Sequence, residues 1–166
     1  MTAKKRPPVD GEHNTGASSA EVSPPISHPR DHVLAEARVA IDGDFDIVSV
    51  RQKGREMAAT LEFSPSELTL IATAISELAR NIVLYAKNGE IVLQLVERGG
   101  RRGVVVHAHD SGPGIPDVRR VLQGGYSTSR SLGLGLSGVK RLMDEFEIES
   151  KVGLGTKVTV RKWNRR

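Results

Sequence analysis

Four short stretches of this 166-residue chain combine residue types and spacings that can do chemistry. Residues 133–138 read GLGLSG, so Gly133, Gly135 and Gly138 satisfy G-x-G-x-x-G. That spacing lets backbone N–H groups close around a phosphate at the start of a helix. Residues 77–81 read ELARN. Glu77 and Asn81 are four apart and share one helix face, which helical-wheel spacing sets roughly opposite the apolar stripe. Residues 110–116 read DSGPGIP, a carboxylate at a strand end followed by two glycines and two prolines. Residues 153–156 read GLGT, a tight turn with a hydroxyl between two strands. Each also has a bland reading: a loop, a solvated polar pair, a capping Asp, a strand-start hydroxyl.

The glycine motif alone does not choose a nucleotide site. A dinucleotide fingerprint needs a strand immediately before its glycines and an acidic residue about 20 positions on. Here a polar loop precedes Gly133, and Glu147 and Glu149 come too early. A protein-kinase glycine loop needs the H-R-D and D-F-G elements that would follow it, and a Walker A loop needs Gly-Lys-Ser/Thr; the chain has none of these.

Taken in order, the four stretches resemble the N box, the first and second glycine boxes and the last Gly-Thr element of the GHKL ATPase/kinase superfamily, whose ATP site is the Bergerat fold. The resemblance spans about residues 33–163. The segments ISELARNI, GPGIPD, GYSTS and GVKRLMDEFEIES more narrowly resemble the stressosome switch serine/threonine kinases, which are related to anti-sigma factor kinases. The resemblance implies a protein serine/threonine kinase that uses ATP and Mg²⁺. Its implied substrates are STAS-domain proteins, and its later partner is a PP2C-type phosphatase. A nucleotide-dependent binding switch acting on a sigma factor is the alternative.

The resemblance also implies roles for single residues. Glu77 would be the general base, and Asn81 would hold Mg²⁺ through its amide oxygen. Asp110 would read adenine; a carboxylate accepts well from the adenine amino group, and a strand end is a rigid mount. Gly112, Gly114 and Ile115 would pass close to the base. Gly133, Leu134, Gly135 and Leu136, with Gly138 behind them, would hold the triphosphate. Ser127 and Thr128 lie in the lid expected over 124–132, beside Tyr126. Arg130 would be the cation at the γ-phosphate, and Thr156 would donate to a phosphate. Arg80 and Lys87 are further candidates for phosphate contact. His107 and His109 read as structural, because the phospho-accepting histidine of two-component kinases lies on a separate dimerisation helix that this chain lacks. Trp163 reads as packing.

The elements that must position these residues follow from periodicity and turn chemistry. Residues 32–41 read as a strand, with Gly43 turning into a helix capped by Asp46 and running to Leu61. Ser64, Pro65 and Glu67 form a capping box that opens a long helix to about Ala86. Strands follow at 90–97 and 103–110, joined by a Gly-rich hairpin turn. A short helix opened by Pro116 covers 116–123, and a longer one is expected over 134–146. Two more strands, 147–152 and 156–163, complete the chain. The order β-α-α-β-β-α-α-β-β predicts an α+β fold: a two-layer α/β sandwich with a mixed, mostly antiparallel sheet and helices on one face.

Composition bounds the rest. A chain that is 38% hydrophobic can bury one real core. There is no cysteine, which excludes disulfide and thiolate metal scaffolds. No apolar run approaches the roughly 18 residues of a membrane span. The basic N-terminus lacks the apolar stretch of a secretory signal, so a cytoplasmic protein is expected. Residues 1–32, rich in Pro, Ser, Gly and charge, read as a disordered tail ahead of one domain over 33–166. The net charge of +4 is traced to a basic end with Arg161, Lys162, Arg165 and Arg166, read as solvated. Only 4% of residues are aromatic, so few bases could stack and nucleic acid is not the expected partner. Nor is a membrane.

Overall fold

The computed structural model describes residues 30–124 and 133–165. Strand β1 (His32–Ile41) leads into helix α1 (Asp44–Ala59) and helix α2 (Pro65–Asn81). Strands β2 (Gly89–Arg98) and β3 (Arg101–Asp110) form a hairpin. Helices α3 (Val118–Gln123) and α4 (Gly135–Leu142) come next, then strands β4 (Glu145–Lys151) and β5 (Gly155–Trp163). The five strands make one sheet in the order β1-β2-β3-β5-β4. Every pairing is antiparallel, so the sheet is not mixed. The α+β sandwich expected from the sequence is otherwise what forms.

The core lies between the sheet and the helices. Alternation puts Ile91, Leu93, Val104, Val106, Val158 and Val160 on one face, where they meet Val50, Ile71, Ile75, Leu78 and Val139. The hairpin turns at Gly99 and Gly100, both at positive φ (58° and 79°). Two such residues make the turn whose twist matches the flanking strands. Helix α2 opens on the expected capping box. Ser64 Oγ accepts from Glu67 N–H, and Glu67 Oε2 accepts from Ser64 N–H at 2.9 Å. Asp46, by contrast, is not the cap of α1. It sits in the first turn and reaches back to accept from the N–H groups of Asp42 and Gly43.

Three further departures matter for the site. Helix α2 does not run evenly to Ala86; after Asn81 it widens into a single π turn, Ile82–Ala86, ended by Lys87 at φ 71°. Such turns cluster at functional sites. Helix α4 stops at Leu142 rather than 146. The Asp144 carboxylate takes the Trp163 N–H at 2.8 Å and the Lys162 ammonium at 3.2 Å, and Phe146 pairs with Val160 across β4–β5. Of the basic C-terminal end, Arg165 is exposed as expected, but Arg161 and Lys162 are not solvated. The Arg161 side chain is 12% exposed and pairs with Asp31, Glu145 and Glu147, while Lys162 is buried against Asp144. Arg166 lies outside the described residues.

Residues 1–29 of the expected tail lie outside the described residues too. The folded body reaches back at least to Asp31, whose carboxylate pairs with Arg98 at 2.6 Å on the sheet's outer face. Stacked there, Arg98 covers the Trp163 ring at 4.7 Å. Helix α2 with its π turn, Pro65–Ala86, is long and apolar enough by length and composition to cross a membrane, which the sequence reading did not anticipate. Its apolar side is the face laid on the sheet.

Candidate functional site

The ends of α2, β3, α4 and β5 meet around a cavity of about 330 Å³. The cavity brings together Glu77, Asn81, Asp110, Gly114, Ile115, Gly133, Leu134, Gly135, Leu136 and Thr156, all singled out from the sequence. Its size and its mostly apolar walls with a few convergent polar groups are those of a small-molecule site.

At one end, Asp110 closes β3. Its Oδ1 accepts from Gly112 N–H at 2.9 Å. Thr156 is its cross-strand partner on β5. The Thr156 hydroxyl is 2.8 Å from Ser150 Oγ, and Ser150 Oγ accepts from Ile115 N–H at 2.8 Å. A further bond, Gly153 N–H to the Pro113 carbonyl, ties the same loop to the β4–β5 turn. Thr156 therefore stands at the Asp110 end of the cavity. Gly114 has φ 73°, and a Cβ there would strike the Lys151 carbonyl, so the loop needs glycine on both counts. Gly112 stands just outside the cavity wall. It packs so closely on Ala86 of the π turn that a side chain would collide with it.

At the other end, α2 presents Glu77 beside the start of α4. The first helical bond of α4 runs from Gly138 N–H to the Leu134 carbonyl. The N–H groups of Gly135, Leu136 and Ser137 thus have no intrahelical acceptor, which makes this terminus a natural anion seat. Gly138 has its N–H committed to the helix, and a side chain there would meet Leu134. The third glycine of the motif is required by packing.

Glu77 is only 7% exposed, not on a solvated face as the wheel suggested. The chain around Gly133 lies against its carboxylate, where any side chain on Gly133 would collide. Glu77 Oε1 accepts from Arg80 Nη1 at 2.5 Å, and Oε2 accepts from Gly135 N–H at 3.4 Å. Asn81, one turn on, lines the same cavity. Among the described residues no group of three or more His, Cys, Asp or Glu side chains could hold a metal.

Sequence reasoning missed several wall residues: Leu78, Tyr85, Ala108, Val121 and Val158. Ala108 and Val158 could have been found, since they share a strand face with the core residues Val104, Val106 and Val160 on strands that meet the motifs. Tyr85 could not, because the π turn that aims it has no signature in periodicity. Lys87 does not reach the cavity wall. Ser127, Thr128, Arg130 and Tyr126 of the expected lid lie outside the described residues. His107 is held on the outer face of the sheet, 3.0 Å from Thr159 Oγ1 and 3.2 Å from Gln94 Oε1, which fits its structural reading.

Comparison with known proteins identifies relatives of this chain. Residues 44–162 match the histidine kinase-like ATPase domain. The serine/threonine-protein kinase RsbT of Bacillus subtilis is 51% identical over 127 residues, 76% of this chain and 96% of that protein. An anti-sigma F factor of Geobacillus stearothermophilus is 33% identical over 113 residues, 63% of this chain and 75% of that protein. The fold also matches the crystal structure of the RsbU and RsbW domains of Rv1364c from Mycobacterium tuberculosis, with a TM-score of 0.54, 23% identity and 77% of this chain covered; this chain spans 31% of that longer one. The chain therefore belongs to the histidine kinase-like ATPase family, in the serine/threonine-protein kinase branch that RsbT represents.

Proposed function

We propose that this kinase transfers the γ-phosphoryl group of ATP to a serine or threonine of a STAS-domain partner in a cytoplasmic partner-switching system, and afterwards engages a PP2C-type phosphatase. One observation carries the reading of the chemistry. A carboxylate, Glu77, is buried in the wall of a nucleotide-sized cavity, against the N–H groups that open α4.

Asp110 keeps Oδ2 for the amino group of the base while Oδ1 holds its own loop. Leu78, Ala108 and Val158 offer the ring flat apolar contact. The Gly135, Leu136 and Ser137 N–H groups receive phosphate oxygens. Asn81 Oδ1 suits Mg²⁺, a hard ion that takes one or two protein oxygens and fills its shell with phosphate and water. The absence of a carboxylate cage among the described residues fits that mode. When bound, the ion would supply charge neutralisation on the phosphates. Glu77 accepts the proton of the substrate hydroxyl as its oxygen bonds to the γ-phosphorus. The bond from that phosphorus to the β–γ bridging oxygen breaks, and its electron pair leaves with ADP.

The test is phosphate transfer from γ-labelled ATP with Mg²⁺ to a purified STAS-domain protein encoded nearby. Wild type should label the partner. Glu77→Gln should bind ATP and transfer nothing, and Asn81→Ala should lose Mg²⁺-dependent ATP binding. Labelling by Glu77→Gln at the wild-type rate would refute the role of Glu77. The similarity to anti-sigma F factors supports a second reading, a nucleotide-dependent hold on a sigma factor. Nucleotide-dependent capture of a sigma factor, with no labelling of the STAS protein, would favour it.

A further inference from the structure

The general base proposed above has both carboxylate oxygens occupied. Oε1 takes the Arg80 guanidinium at 2.5 Å, and Oε2 takes the Gly135 N–H at 3.4 Å. A guanidinium and a loop N–H at a helix start are also the donors that a phosphate seeks. Glu77 therefore sits where its carboxylate mimics a phosphate. With Oε1 engaged by a cation, the lone pair that faces Arg80 is not available to take a proton from a substrate hydroxyl.

The two partners of the pair are placed differently. The Glu77 side chain is 9% exposed, walled in by Gly133 and α4, whereas Arg80 is 40% exposed and lines the cavity beside Asn81. The carboxylate is fixed; the guanidinium is on a long side chain with room to turn. We infer that Arg80 is a γ-phosphate sensor: it holds Glu77 until ATP binds and then swaps onto the γ-phosphate, which frees Glu77 Oε1 to act as base. The inference rests on the reading of Glu77 as that base. It extends the site to a residue whose role would otherwise be an ordinary i,i+3 ion pair. It also gives ADP, which lacks the γ-phosphate, no means of arming the enzyme.

The swap makes Glu77 and the γ-phosphate competitors for one guanidinium, and competition leaves a thermodynamic signature. Binding of ATP and of ADP is measured by calorimetry with Mg²⁺ on wild type, Arg80→Gln, Arg80→Lys, Glu77→Gln and the double variant, each checked by thermal melting. Arg80→Gln should weaken ATP on the order of tenfold, the scale of one charge-assisted contact, and leave ADP within about twofold. Arg80→Lys should recover part of that loss. Glu77→Gln should tighten ATP several-fold over ADP, by releasing Arg80, and the gain should vanish in the double variant. Equal changes for ATP and ADP in Arg80→Gln, or no selective gain in Glu77→Gln, would overturn the swap. If Arg80→Gln fails to fold, the Glu77→Gln ratio decides alone. The two ideas fail separately. Transfer by Glu77→Gln at the wild-type rate removes the base but leaves the ATP/ADP ratio to report the swap. A dead Glu77→Gln with an unmoved ratio removes the swap and keeps the base.

Discussion

Replacing Asp110 by asparagine tests the base-reading end of the cavity with one atom changed. Asp110 Oδ1 already accepts from Gly112 N–H at 2.9 Å. Only an oxygen can accept that bond, so the new amide must turn its oxygen toward Gly112. Its NH₂ group then faces the base. The adenine 6-amino group is a donor, and it would meet a donor where it met a carboxylate oxygen. The loss is a hydrogen bond to a charged group, worth about 1.5–3 kcal/mol. At about 1.4 kcal/mol per tenfold, ATP affinity should fall roughly 10- to 150-fold. Hypoxanthine carries an oxygen at that ring position, so the same amide should suit ITP better than the carboxylate did. The assay is calorimetric binding of ATP and ITP to wild type and Asp110→Asn, with thermal melts to confirm folding. ATP affinity within threefold of wild type would refute the assignment of Asp110. So would an equal loss for ATP and ITP, which would mean that only the loop had been disturbed.

Other outcomes follow from the same contacts. Gly114→Ala must place a side chain at φ 73° against the Lys151 carbonyl. The left-handed backbone alone costs about 1–2 kcal/mol, so the variant should melt lower and bind ATP more weakly; an unchanged melt would show that the loop is free to move. Asp31→Ala removes the partner of Arg98 and Arg161. A cost of about 1–3 kcal/mol at about 2–4 °C each should appear as a clear drop in Tm, and a shift below 1 °C would make the outer-face network idle. Burial pushes the Asp31 carboxyl up, but hydrogen bonds from Arg98 and Arg161 and their charges outweigh it and hold it below the usual 3.8. Its stabilisation is therefore present above that value and is lost as pH falls through the lower folded-state value. Desolvation, then the charges of Arg161 and Lys157, push His107 below its usual 6.5, against weaker pulls from Glu36 and Asp31. Between the folded and unfolded values the unfolded chain binds the extra proton, so stability should fall as pH drops below about 6.5. His107→Gln should flatten that slope in denaturant titrations from pH 7 to 5; an unchanged slope would exclude His107 as its source.

The element order was readable because each signal is local. Ser64, Pro65 and Glu67 open α2 within four residues, and Gly99-Gly100 turns the hairpin by itself. The departures arise where distant chain decides. Leu136, Val139, Met143 and Phe146 suit one helix by spacing, yet Phe146 is a strand residue because Val160 lies across from it and because Asp144 is taken by Trp163 and Lys162. The wheel of α2 put Glu77 toward solvent because a wheel holds one helix. The chain that buries Glu77 arrives with Gly133, more than fifty residues on. Arg161 and Lys162 looked like a solvated end for the same reason; their carboxylates come from Asp31, from Asp144 and from β4. The candidate residues themselves were legible as motifs. Their division into a base end, a phosphate end and a packing glycine was not, since spacing alone does not say which N–H is already bonded.

The two ends of the cavity are built with different stiffness, and the proposed chemistry needs the difference. Asp110 stands on a paired strand, and its loop is pinned by Gly112, by Ser150 through Ile115, and by the β4–β5 turn through Pro113. None of these bonds would have to break for a base to enter, so recognition there is preorganised and costs little reordering. Glu77 is placed as firmly by packing, but its partners are a half-exposed guanidinium and an N–H at 3.4 Å. Those partners can be exchanged for phosphate oxygens without moving the backbone. A site rigid toward the base and exchangeable toward the phosphates can hold ADP and ATP through the same adenine contacts. Only ATP alters what Glu77 is bonded to. Nucleotide occupancy and catalytic readiness then become separate properties.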